Sequence, residues 1–296
     1  MHKSITAFRG RAHGGSILAL AFAIVCLSSP SLATPVSCGL QAPKPLNLDL
    51  VESDFRKHFC VGMSTERCDR RWDNISPLMS KLSTDPAVPT VGTAAYMLAT
   101  TFVETGIADF DPGTVERMPA DGSKPKYYPW IGRGWVQLTY ENEYRRASLV
   151  LQSMEQFKGQ DVDLLKNPDL ARKPELSYVL LVQAMTQGLL EHYRVSAAGG
   201  CGPNNDKCIV PIRISDFVNA SKADYGHARA VINADCVNPL GRDGRPVKGG
   251  KQPCANIIYE DKGYIPDAGR LDAGPLAASQ AAQFEAMLCK GMGLGP

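Results

Sequence analysis

Two glutamates define the chemistry this chain is built to support. Glu104 follows an apolar run, residues 92–103, whose length suits one helical crossing of a core, so its carboxyl is expected at or just past a helix C-terminus. Glu116 lies farther along in a polar loop, beside Arg117. An acid held in apolar surroundings keeps its proton, whereas one in solvent beside a cation gives it up. That contrast suits inverting hydrolysis of a glycosidic bond. Glu104 would protonate the departing oxygen and Glu116 would activate water on the opposite face, with the two carboxyls roughly 6.5–9.5 Å apart. Asp109 and Asp111 are alternative bases with shorter side chains. The structural alternative for Glu104 is a helix-end carboxylate paired with Arg or Lys, and for Glu116 a solvated loop acid.

A second polar element follows in Gly132-Arg133-Gly134-Trp135-Val136-Gln137-Leu138-Thr139. It lacks the remaining glycine spacing and the Lys-Ser/Thr ending of a phosphate-binding loop. Its glycines suit a tight turn and close backbone approach, and Arg133 suits bracing a carboxylate through two hydrogen bonds, which would organise the two glutamates. Gln137 and Thr139 alternate with Val136 and Leu138, which predicts a short strand presenting both polar groups on one side, towards sugar hydroxyls or the attacking water. Tyr127, Tyr128, Trp130 and Trp135 add broad apolar surfaces for sugar rings. Serine-histidine hydrolysis is disfavoured, because His192 and His227 have no nucleophile elbow to serve.

The elements that must position these residues read as mainly helical. Helices are expected over 92–103, 142–157, 175–191 with Pro174 in its first turn, and 276–288, with short helices at 214–219 and 226–234. The stretch 109–130 is longer than an ordinary loop and reads as a functional wall or lid, or a short hairpin. Turn-rich stretches occupy 199–205 and 239–252. No βαβ alternation or short repeat appears. The expected fold class is a mainly α, bilobed helical domain with a small β-hairpin or loop element beside the cleft.

Residues 1–33 read as a secretory signal, with Lys3, Arg9 and Arg11 before a short apolar core and Ser31-Leu32-Ala33 at the cleavage site. Residues 34–47 are expected to be an extended lead-in and 48–296 the catalytic domain with its C-terminal helix. The net charge of +2 includes the three basic residues of the signal, so the rest is near neutral and gives no electrostatic case for nucleic-acid binding. Outside the signal lie Cys38, Cys60, Cys68, Cys201, Cys208, Cys236, Cys254 and Cys289, an even set that reads as up to four disulfides. Cys60 with Cys68 and Cys201 with Cys208 would staple short loops, and Cys289 would pin the last helix. No spacing supports zinc ligation. A secreted or periplasmic monomer is expected, with no cofactor, no metal and no membrane partner after signal cleavage.

Taken together, these motifs resemble glycoside hydrolase family 19, the chitinase and endolysin family, over roughly residues 50–236. The resemblance rests on Glu104 in Phe-Val-Glu-Thr-Gly, on Tyr128 to Thr139, on Tyr144, on Asn167-Pro168-Asp169-Leu170, and on Ala230-Val231-Ile232-Asn233. It implies a lysozyme-like fold and inverting, metal-free cleavage of β-1,4 links in chitin, chito-oligosaccharides or peptidoglycan glycan strands. It further implies Glu104 as acid and Glu116 as base, with Tyr128, Trp130, Arg133, Gln137, Thr139, Glu143 and Asn233 at the substrate or water site. Two departures stand out. Glu143 occupies a place where the family often has asparagine, and Ala234-Asp235 replaces a Gly-Gly pair. The competing readings are a peptidoglycan muramidase and a non-catalytic glycan-binding envelope protein.

Overall fold

The computed structural model describes residues 37–190, 193–195, 209–232 and 273–294. Over these it is a mainly α-helical domain with small antiparallel β elements. The signal segment, Asn233, the two turn-rich stretches and Cys201, Cys208, Cys236 and Cys254 lie outside the described residues.

Helix α3 (Val91–Thr105) is the central support for the candidate acid. Thr90 caps it, its Oγ1 accepting the Thr93 amide at 3.1 Å, and residues 91–101 are buried throughout. A helix apolar on every side must be surrounded. It packs most heavily on α7 (Ala273–Gly291) and also meets α2 (Thr65–Leu82) and α5 (Pro174–Gln187). Helix α1 (Leu48–Phe59) joins the same core, where Phe59 stacks on Phe284 of α7 with ring centroids 4.5 Å apart. Helix α4 (Glu141–Ser153) carries Tyr144, which is fully buried.

Several boundaries differ from expectation. Helix α5 begins at Pro174 but stops at Gln187, because Gly188 takes a left-handed conformation (φ +66°) and turns the chain against Pro211. The helix expected at 214–219 is a 3-10 turn, Ile214–Asp216, followed by β3 (Val218–Asn219), which pairs with β4 (Lys222–Ala223). Strands β1 (Tyr193–Val195) and β2 (Ile209–Pro211) form a second antiparallel pair. The helix expected at 226–234 is a short α6 (Tyr225–Ala228) running into a 3-10 turn, Arg229–Val231.

The lead-in also departs from expectation. Cys38 is 2 % exposed and disulfide-bonded to Cys289 of α7, while the amides of Val91 and Asn47 donate to Gln41 O and Gly291 O. Residues 38–47 are thereby tied to the core. The second disulfide, Cys60–Cys68, closes the α1–α2 connection. The two disulfides among the described residues fit a chain that matures in an oxidising, extracytoplasmic setting. Among the described residues, no helix is long and apolar enough to cross a membrane, and no group of His, Cys, Asp and Glu is arranged to hold a metal.

Candidate active site

Glu104 sits in the last turn of α3, as the apolar run predicted. Its surroundings are not simply apolar. The Arg229 Nη1 donates to Glu104 Oε1 at 2.5 Å, and the Arg229 side chain is 5 % exposed against 18 % for the glutamate. The helix-end ion pair is therefore present. Arg229 is the residue the sequence reading missed. The two lie 125 positions apart, and no local spacing signals such a pairing.

Glu116 is not a free loop acid. Its amide donates to Gly132 O at 2.8 Å and the Gly134 amide donates to Thr114 O, so the stretch around Val115 lies antiparallel to Arg133. The Gly132 amide donates to Glu116 Oε2 at 3.0 Å, and the Tyr127 hydroxyl donates to Oε1 at 2.6 Å. Both carboxylate oxygens are thus held in place. The bond to Glu116 pushes the Tyr127 hydroxyl up to about 12, so it stays a protonated donor at neutral pH. A Cβ on Gly132 would lie 2.8 Å from Gln137 Oε1 and 3.4 Å from Glu116 Cβ, the close approach that glycine permits.

The segment expected as a strand is instead a turn. Arg133 and Leu138 bridge across residues 134–137, with Gly134 at φ +73° and Gln137 at φ +49°. Gln137 and Thr139 therefore do not share a strand face. Gln137 Nε2 donates to Gly134 O at 2.9 Å, and Thr139 Oγ1 donates to Gln137 O at 2.7 Å, so both side chains brace the turn. Glu143 joins this group by accepting the Thr139 amide at Oε2, 3.3 Å away.

Arg133 also has a different task from the one expected. It is 7 % exposed and reaches Asp169 at 3.0 Å, the carbonyls of Pro129 and Ile131, and the Tyr144 hydroxyl. It braces a carboxylate, but that carboxylate is Asp169 rather than either glutamate. Trp135 is a core residue, 5 % exposed, whose Nε1 donates to Phe110 O at 2.7 Å, so it offers no surface to a sugar. Tyr128 remains exposed, with Lys124 Nζ 4.2 Å from its ring centroid, and Trp130 is half-buried.

A buried guanidinium links the two glutamate-bearing segments. Arg71 on α2 donates to Phe59 O at 2.6 Å, to Gly106 O, and to Asp109 Oδ1 at 3.0 Å. Gly106 follows Glu104 by two residues, and Asp109 opens the loop that leads to Glu116. Asp109 and Phe110 both adopt positive φ, +59° and +63°, where side chains are strained. Arg67 at 2.8 Å and Arg71 hold the Asp109 carboxylate, Asn74 donates to its carbonyl, and the Phe110 ring is fully buried. Burial alone would raise the Asp109 carboxyl, but the hydrogen bonds from Arg67 and Arg71 outweigh it and hold the group below the usual carboxylate range. Asp109 is thus committed to this elbow and is not available as a base.

Compared with protein-family models, curated proteins and solved structures, the chain matches none.

Proposed function

We propose that this chain is a secreted or periplasmic glycoside hydrolase of the family 19 chitinase type, with that family's bilobed, lysozyme-like arrangement, which cleaves β-1,4-linked N-acetylglucosamine polymers with inversion. The observation that carries the proposal is the clamp on Glu116. A loop acid with no structural duty would be solvated, yet here a tyrosine hydroxyl and a glycine amide fix both of its oxygens. Fixing the orientation of a carboxylate is what a general base requires.

In the proposed reaction Glu104 first takes up a proton, its hydrogen bond to Arg229 giving way as the glycan binds, and then donates that proton to the departing glycosidic oxygen as the bond from C1 breaks. Water attacks C1 from the opposite face and passes a proton to Glu116. The Arg229 guanidinium stabilises the carboxylate that Glu104 becomes, placing positive charge where negative charge develops. Solvent then returns a proton from Glu116 to Glu104, so the net change is one water added across one glycosidic bond.

The test is release of new reducing ends from soluble N-acetylglucosamine oligomers and from purified peptidoglycan by the mature chain. Cleavage of the oligomers with the α-anomer as first product is expected. Cleavage of peptidoglycan alone would replace the reading with a muramidase, and binding without cleavage would replace it with a glycan-binding protein.

A further inference from the structure

We infer that Tyr140 is a stacking platform for a pyranose ring of the glycan, adjoining the Glu116 clamp; this rests on the hydrolase reading and adds a binding residue to it. Tyr140 immediately precedes α4 and is 51 % exposed. Its backbone lies at φ +68°, ψ 144°, a region in which glycine is at ease and a side chain is strained. Such strain persists only where the surrounding structure enforces it. Here the Tyr140 amide donates to Trp130 O at 2.8 Å, and its carbonyl accepts the Tyr144 amide at 3.1 Å.

Burial does not explain why an aromatic residue occupies this position, since half of the side chain faces solvent. Its placement does suggest a reason. The Tyr140 ring meets Tyr127 edge-on, with centroids 5.0 Å apart, and Tyr127 donates to Glu116 Oε1. A ring seated on Tyr140 is therefore two contacts from the proposed base. Tyr128, the other exposed aromatic nearby, already carries Lys124 against its ring. A pyranose presents C–H groups on its faces and hydroxyls at its rim, so it stacks on an aromatic face while its polar groups stay hydrated. The class of ligand is a β-1,4-linked N-acetylhexosamine chain.

The experiment compares wild type, Tyr140→Gly and Tyr140→Phe for equilibrium binding of the N-acetylglucosamine hexamer, for KM and kcat on it, and for thermal unfolding. Tyr140→Gly should bind about two- to tenfold more weakly, with an unfolding midpoint no lower than wild type because glycine relieves the strain; Tyr140→Phe should bind as wild type does. Unchanged affinity in Tyr140→Gly, or a lowered midpoint accompanying the loss, overturns the inference by making the tyrosine inert or structural. Hexamer bound by wild type without cleavage would sink the hydrolase reading while the affinity comparison still decides Tyr140. A wild type that does not bind the hexamer overturns the inference.

Discussion

Replacing Arg71 with methionine should damage both the stability and the chemistry of this protein. The substitution keeps an unbranched apolar stem but removes a buried cation with three acceptors: Phe59 O, Gly106 O and Asp109 Oδ1. Asp109 keeps Arg67 at 2.8 Å, and Arg70 stands 3.9 Å away, so its charge is not abandoned. The two carbonyls lose their guanidinium donor. A hydrogen bond to a charged group contributes about 1.5–3 kcal/mol, so losing the two to the carbonyls costs about 3–6 kcal/mol, a large part of the ~5–15 kcal/mol that holds a domain together. With a urea dependence of about 3 kcal/mol per molar for a chain of this size, the midpoint should fall by about 1–2 M. Urea unfolding followed by tryptophan fluorescence reads this directly. Arg71→Lys, which retains charge but not the fork of donors, should recover part of the loss. Because Gly106 and Asp109 flank the passage from Glu104 to Glu116, kcat on chitin oligomers should fall further than the folded fraction does. A midpoint for Arg71→Met within about 0.3 M of wild type, equivalent to roughly 1 kcal/mol, would refute the reasoning that this guanidinium ties the segments together.

Three further outcomes follow from the same contacts. Tyr127→Phe removes one hydrogen bond to Glu116, and a bond to a charged acceptor contributes about 1.5–3 kcal/mol, so kcat should drop by roughly ten- to a hundredfold with KM little changed; steady-state kinetics showing an unaltered kcat would dismiss the clamp. Asp109 is held below its unfolded value, so its contribution to stability is fully present above about pH 4 and is lost as the pH falls through the folded value; Asp109→Asn should flatten this acid-side loss in urea midpoints measured across pH, and parallel curves would contradict the assignment. Cys38 and Cys289 are separated by 251 residues and Cys60 and Cys68 by 8, so replacing the first pair with alanines should lower stability more, within the ~2–5 kcal/mol typical of native disulfides, and the reverse order would argue against a chain-entropy origin.

What could be read from the sequence was local. The apolar run before Glu104 dictated a buried helix and placed the acid at its end, because such a run cannot sit in water. Pro174 marked the start of α5, and the short interval between Cys60 and Cys68 marked their disulfide. The contacts that define the site join distant parts of the chain. Arg229 reaches Glu104 across 125 positions, and Cys38 finds Cys289 across 251. Arg133 was legible as a carboxylate brace by its chemistry alone, but its partner is Asp169, 36 positions away, and not the glutamates the sequence suggested. Alternation in residues 136–139 suggested a strand because Val136 and Leu138 are indeed both buried. A four-residue pattern does not separate a strand from a turn that tucks two apolar residues inwards.

The central claim is that Glu104 and Glu116 act as a pair of acid and base. The most direct test measures reducing ends released from N-acetylglucosamine oligomers by wild type, Glu104→Gln and Glu116→Gln, after circular dichroism and unfolding midpoints show all three folded. The account predicts cleavage by wild type and its loss in both variants. Full activity in folded Glu116→Gln would contradict it, because the clamp formed by Tyr127 and Gly132 would then be holding a carboxylate that the reaction does not use.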